Sequence, residues 1–173
     1  NVVIVTQQWI SNNVTAGMYV GQMSQGGSDK DNHAMTATNI VTSHDELLFI
    51  VIHQTYELWF KQILHELDGC VGWISEGRLF RANHSLRGVV SIEKVLGMQI
   101  HILESMAPIG FLEFRDKLNP ASGFQSMQFR ELEFLSGARD ERILNTFKDD
   151  EFAFERLTQR FNSPSLADEF WAL

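Results

Sequence analysis

A proline-free stretch from Ser43 to Ile74 restricts the possible folds more than any other feature of this chain. Ser43 and Glu46 have the spacing of a capping box, which predicts that a helix begins there. Apolar residues then occupy nearly every side of the helix. One face carries Phe49, Tyr56, Phe60, Leu64 and Leu67, and another carries Leu48, Ile52, Trp59 and Ile63. Such a helix is typical of the centre of a bundle, where neighbours pack on several sides.

The remaining sequence also favours helices. Apolar spacing predicts a second helix from Leu79 to Met106, ended by Pro108. Further along, we predict a short helical piece at 111–118, a third helix at 124–135, one or two surface helices within 138–160, and a last helix capped by Ser163 or Ser165 with Pro164 in its first turn. Residues 1–42 read as an N-terminal segment with a flexible connection. Residues 43–173 then form one all-α helical bundle, incomplete at its C-terminus.

Composition excludes several classes of function. The formal net charge is −8, which argues against a surface for nucleic acid or anionic membranes. The longest purely apolar run, 47–52, is far shorter than the roughly 20 residues of a membrane helix. A single cysteine, Cys70, excludes an internal disulfide and fits a reducing compartment. We therefore expect a cytoplasmic protein.

Common metal-binding motifs are also missing. His65-Glu66 begins like a zinc-protease motif, but the position of the second histidine holds Gly69. No Glu-x-x-His pair exists for a di-iron bundle, and one cysteine makes no thiolate zinc site. An organic cofactor, or none, remains.

His53 lies within the most apolar part of the chain, and a buried imidazole is costly unless its nitrogens have partners. It is either a core histidine, satisfied by a nearby carbonyl or by Glu57, or a neutral pocket residue. In the second case Phe49, one turn earlier, would present an aromatic ring beside it.

Arg115 likewise permits two interpretations. It either pairs with Glu113 or Asp116 or clamps a substrate carboxylate, with Phe111 one turn before it. The small residues of the following loop, 119–124, form either a plain capped turn or an anion-binding helix N-terminus.

Two long blocks resemble the signature segments of the tryptophan 2,3-dioxygenase family. They are HDELLFIVIHQTYELWFKQILHELD at 44–68 and FLEFRDKLNPASGFQSMQFRELEFL at 111–135. A weaker likeness, TAGMYV, lies at 15–20. The resemblance implies a helical, heme b-dependent dioxygenase of the kynurenine pathway that uses O2 to cleave the indole ring of L-tryptophan to N-formylkynurenine, and that assembles as a homotetramer.

The resemblance also implies roles for individual residues. His53, the catalytic-site histidine, would hydrogen-bond the indole N–H, and we predict that it positions the substrate without abstracting a proton. The other implied substrate contacts are Phe49, Phe111, Arg115, Leu118 and, from a neighbouring subunit, Tyr19 and Val20. The implied cofactor contacts are Ser122, Gly123 and Ile100.

Three departures from the family pattern keep alternatives open. Ala16 replaces a usual tyrosine, and His101 replaces a small polar residue. The later helices are absent, and no histidine matches the proximal heme ligand by motif. The chain is therefore truncated, completed by a second polypeptide, or free of heme. The alternative functions are a related heme enzyme acting on a modified indole or another aromatic amino acid, and a non-catalytic helical fragment.

Overall fold

The computed structural model describes residues 43–118 and 125–173. These residues form helices and contain no strand, which confirms the all-α prediction. The N-terminal segment and the loop at 119–124 lie outside the described residues.

Helix α1 spans His44–Ser75, as its capping signal and apolar pattern predict. The backbone N–H of Ser43 donates to the Glu46 carboxylate at 3.4 Å, so one half of the predicted capping box is formed. The prediction that neighbours pack on several sides of this helix does not extend to every side, since one stripe is partly exposed. Leu47, Val51 and Leu58 share one stripe of the helix and are 42–47% exposed, because no described element packs on that stripe.

Helix α2 spans Leu79–Glu104 and α3 spans Pro108–Phe114, followed by a 3-10 helix at Arg115–Leu118. Pro108 ends the earlier helical pattern and also begins α3, since proline fits the first helical turn. Gly110 of α3 lies against α1: a Cβ there would be 1.9 Å from Asp45 Oδ2. A glycine therefore allows this close approach.

Four helices follow the second gap: α4 (Met127–Ser136), α5 (Glu141–Asn145), α6 (Glu151–Asn162) and α7 (Leu166–Trp171). Helix α4 ends at Gly137, whose φ of 108° suits glycine. Ser165, not Ser163, caps α7, in a full capping box with Asp168, so Pro164 precedes the cap and is not in the first turn.

Two helices, α5 and α6, lie where the sequence predicts one or two surface helices, and each exposes one side and buries the other. Their buried side chains join those of α4 in a core of Met127, Phe134, Leu144, Phe147, Ala153 and Leu157.

The chain divides into two compact units. The first contains the described residues up to Leu58 and the described residues within Gly97–Ser126, and the second contains Trp59–Leu96 and Met127–Leu173. Within the described ranges, no single helix has the length and apolarity to cross a membrane, although α2 and α3 taken together, bent by 90°, meet those two criteria.

Candidate functional site

An aromatic cluster lies at the centre of the first unit. Phe49 of α1 packs on Phe114 of α3 with ring centroids 5.3 Å apart, and both side chains are buried with Leu118 of the 3-10 helix. Phe111 lies 6.0 Å from Phe49 and 5.4 Å from Phe114. Phe111, Phe114 and Leu118 have spacings of three and four residues, which direct them to one side of the helical segment. Three of the predicted substrate-binding residues are thus brought together.

His53 extends this cluster along α1. Its ring centroid is 4.1 Å from that of Phe49, four residues earlier, and only 5% of the residue is exposed. Its Nδ1 lies 2.6 Å from the Phe49 carbonyl oxygen. Because a carbonyl can only accept, Nδ1 carries the proton, and Nε2 of the neutral ring is an acceptor.

Burial also keeps the imidazole neutral. Removal from water lowers the pKa of His53, and the hydrogen bond to the Phe49 carbonyl opposes this only in part. Both interpretations of His53 therefore apply, to different nitrogens. Nδ1 is satisfied by a carbonyl, as in a core histidine, and Nε2 is an acceptor with no recorded hydrogen bond to any described residue.

Glu57, the other partner considered for His53, has a different connection. Its carboxylate accepts a hydrogen bond from the Ser126 hydroxyl at 2.7 Å, and both side chains are buried. This bond ties α1 to the residue just before α4, across 69 positions of sequence. Glu57 therefore contributes to holding the first unit together.

Arg115 follows the cluster directly in sequence, and its side chain is exposed. Its backbone N–H donates to the Phe111 carbonyl at the end of α3. Within the described ranges, the guanidinium has no recorded ion pair with Glu113, Asp116 or any other acid. The described residues thus give no support to a local ion pair of Arg115 with Glu113 or Asp116, and its role as a clamp on a substrate carboxylate stays a prediction.

The structure adds residues that the sequence did not single out. Phe114 is the fully buried centre of the aromatic cluster. Leu103, near the end of α2, and Met106, just after that helix, pack against the cluster. The sequence signal for Phe114 is its spacing of three residues from Phe111, which places both side chains on one face of a helix. Ile100, a predicted cofactor contact, is 37% exposed and lies outside the cluster. Tyr19, Val20, Ser122 and Gly123 lie outside the described residues.

The described histidines differ in their surroundings. His44, His65, His84 and His101 are exposed, and His53 is buried. His101, one of the noted departures, pairs with Glu104 at 2.9 Å. Across residues 43–118 and 125–173, no group of three or more His, Cys, Asp or Glu side chains is arranged to hold a metal ion.

Comparison with known proteins gives one consistent result. The sequence profile described as "Tryptophan 2,3-dioxygenase" matches residues 16–169. A protein of that name from a Nocardioides species is 55% identical over 136 residues, which cover 76% of this chain and 51% of the relative. One from Herpetosiphon aurantiacus is 51% identical, covering 73% and 48%. One from Aedes aegypti is 47% identical, covering 72% and 35%. The chain spans about half the length of the first two relatives.

Proposed function

This chain belongs to the tryptophan 2,3-dioxygenase family, and we propose that it acts in the heme-dependent cleavage of the indole ring of L-tryptophan by O2, giving N-formylkynurenine. One observation supports the proposal above the others. The Phe49 carbonyl accepts a hydrogen bond from Nδ1–H of His53, so that a buried Nε2 acceptor lies beside an aromatic cluster. An indole offers both an aromatic face and an N–H donor, and such a site is complementary to both.

Each side chain then has a distinct role. Phe49 and Phe111 are in contact with one another, with centroids 6.0 Å apart and planes tilted by 43°. They therefore line one side of the indole as an angled wall and do not sandwich it. Leu118 closes the apolar floor, and the guanidinium of Arg115, which forms no ion pair with a described residue, pairs with the substrate carboxylate.

His53 orients the substrate and does not act as a base. A neutral imidazole is a far weaker base than indole N–H removal requires, and burial lowers the pKa of His53 further. A hydrogen bond from the indole N–H to Nε2 fixes how far the indole is rotated within its own ring plane. The contribution of His53 is thus geometric.

The described residues fit the substrate side of a heme pocket. Apolar rings and a neutral imidazole suit a dry cavity, while the exposed histidines match no axial-ligand motif in this sequence. Ile100, Ser122 and Gly123 would contact the porphyrin. When bound, the heme iron supplies the activation of O2. We further propose a cytoplasmic homotetramer in which Tyr19 and Val20 reach a neighbouring subunit's pocket.

The test uses the complete natural subunit with L-tryptophan and O2. We expect a heme Soret band and a product heavier than tryptophan by two oxygen atoms. His53→Ala should lower kcat/KM by about 2- to 10-fold, the value of one neutral hydrogen bond. His65→Ala, at an exposed position of the same helix, should leave kcat/KM unchanged.

Two results would contradict this assignment. A protein that binds neither heme nor tryptophan is not such an enzyme. A loss of about 100-fold or more in His53→Ala, with heme and substrate still bound, would assign proton transfer to His53.

A further inference from the structure

Phe114 occupies the position behind both aromatic rings of the candidate site. Its side chain is fully buried, and its ring centroid lies 5.3 Å from that of Phe49 and 5.4 Å from that of Phe111. The contact with Phe111 is edge-to-face, with planes at 85°, and the contact with Phe49 is tilted by 59°. Such geometries are the preferred ones for aromatic pairs, so each ring restricts the orientation of the other two.

The environment of Phe114 also prevents it from moving aside. Leu118 is buried with it, and Leu103 and Met106 pack on the same cluster. Protein interiors are close-packed, and a ring held on several sides transmits a change in its own volume to its neighbours. The neighbours here are the Phe49 and Phe111 rings that form the angled wall.

Phe49 links this packing to the hydrogen-bonding group as well. Its carbonyl accepts a hydrogen bond from Nδ1–H of His53, and its ring centroid lies 4.1 Å from that of the imidazole. A shift of Phe49 therefore changes two things together: the tilt of the wall formed by the Phe49 and Phe111 rings, and the distance of that wall from His53 Nε2.

We propose that Phe114 is a positioning residue for substrate specificity: it sets the spacing and tilt of the Phe49 and Phe111 rings, and thereby limits the size of substituent allowed on the aromatic ring of the substrate. This inference rests on the proposed function, because it takes the substrate to be an indole amino acid. Phe114 does not touch the substrate and acts through the two rings in front of it.

The test compares two substrates in the complete natural enzyme, L-tryptophan and 6-methyl-L-tryptophan. In Phe114→Leu, a smaller side chain lets the wall relax inward, and the methyl group gains room. The ratio of kcat/KM for the methylated substrate over tryptophan should rise by about 10-fold, the lower end of what a methyl-sized misfit is worth in an apolar pocket.

A matched control separates positioning from general stability. Phe134 of the second unit is also fully buried and also makes an edge-to-face contact, with Phe161 at 5.3 Å and 88°. Phe134→Leu should lower stability in the same manner and leave the substrate ratio at the parent value. Phe114→Met, whose unbranched and flexible side chain can refill more of the space left by the ring than leucine can, should raise the ratio by a smaller factor.

The outcomes are distinct. Dissociation constants for both substrates, measured by calorimetry, should show the same change of ratio in any variant with low turnover. The inference is overturned if both Phe114 variants keep the parent ratio of kcat/KM for the two substrates, or if Phe134→Leu raises that ratio as much as Phe114→Leu does. Either result leaves the enzyme assignment intact. A parent enzyme that neither binds nor turns over tryptophan overturns the proposed function instead.

Discussion

In the second unit, Arg156 and Arg160 direct their Nε atoms to Glu131 Oε1 at 2.9 and 3.5 Å, and that carboxylate is 1% exposed. Arg160 also donates to Asp68 at 3.0 Å. In the first unit, Arg115 is exposed and has no recorded ion pair with a described residue. Arginines that satisfy a buried carboxylate have their donors committed to the fold. An exposed arginine beside an aromatic cluster, without an ion pair to a described residue, can direct its donors to a ligand.

The buried cores of the two units also differ in whether they contain a polar group that can bind a ligand. The second unit buries a continuous set of apolar side chains from α4, α5 and α6. The first unit buries an imidazole with its aromatic rings and keeps Nε2 as an acceptor. A buried polar group costs free energy unless it finds a partner, so its presence in the first unit is consistent with a site built for binding. Substitutions in the second unit should therefore change stability alone, and those at the candidate site of the first unit should also change ligand affinity.

The largest effect is expected in the second core. Phe134→Ala should lower the free energy of unfolding by about 3–5 kcal/mol, because a fully buried ring leaves a cavity. Urea unfolding followed by circular dichroism measures it. Phe152→Ala, at a side chain that is 67% exposed, should remain within about 0.5 kcal/mol of the parent. A loss below about 1 kcal/mol at Phe134 would mean that this core is loosely packed.

The next effect is on binding. In the complete enzyme, Arg115→Ala should raise the dissociation constant for tryptophan by about 10- to 100-fold, the value of a hydrogen bond to a charged group. Calorimetric titration checks this, and the unfolding free energy should barely change. Arg142→Ala, at an exposed arginine of the second unit that pairs with Asp140, is the control and should bind like the parent. Parent-like affinity in Arg115→Ala would make Arg115 a structural residue.

Neutralising the buried carboxylate should have a smaller effect, on stability alone. Glu131→Gln removes the charge shared by Arg156 and Arg160, although Arg160 keeps its pair with Asp68, and should cost about 1–3 kcal/mol, reduced because Arg156 is half exposed. Denaturant titration measures the change, with Glu155→Gln on the exposed side of α6 as the control. If Glu131→Gln also lowered the affinity for tryptophan, the distinction between a unit that affects stability alone and a unit that binds the ligand would be wrong.

The smallest effect is a dependence on pH. Burial lowers the pKa of His53 below its usual value of about 6.5, so the unfolded chain binds a proton more readily than the folded chain. The stability due to neutral His53 is complete above about pH 6.5 and is lost as pH falls through the lowered folded pKa. His53→Gln removes this term, and its stability should decline less between about pH 7 and pH 5. Equal declines in parent and variant would contradict a buried neutral imidazole.

Much of the helix pattern could be predicted because its signals are local. The start of α1, the role of Pro108 at the end of the α2 pattern and the glycine that ends α4 all depend on a few neighbouring residues. The Phe49 and His53 pair was accessible for the same reason, since residues four apart share a helix face. The choice between Ser163 and Ser165 as the cap of α7 was not, because both serines offer the same hydroxyl and only the path of the backbone distinguishes them.

Family membership, the all-α class and the chemical types at the candidate site follow from the order of residues along the chain. Long signature segments and helical periodicity are properties of the sequence itself. The central place of Phe114, the lack of an ion pair between Arg115 and the described acids, and the buried faces of α5 and α6 follow from the fold. Packing and ion pairing depend on distances between residues far apart in sequence, and local patterns carry no record of those distances.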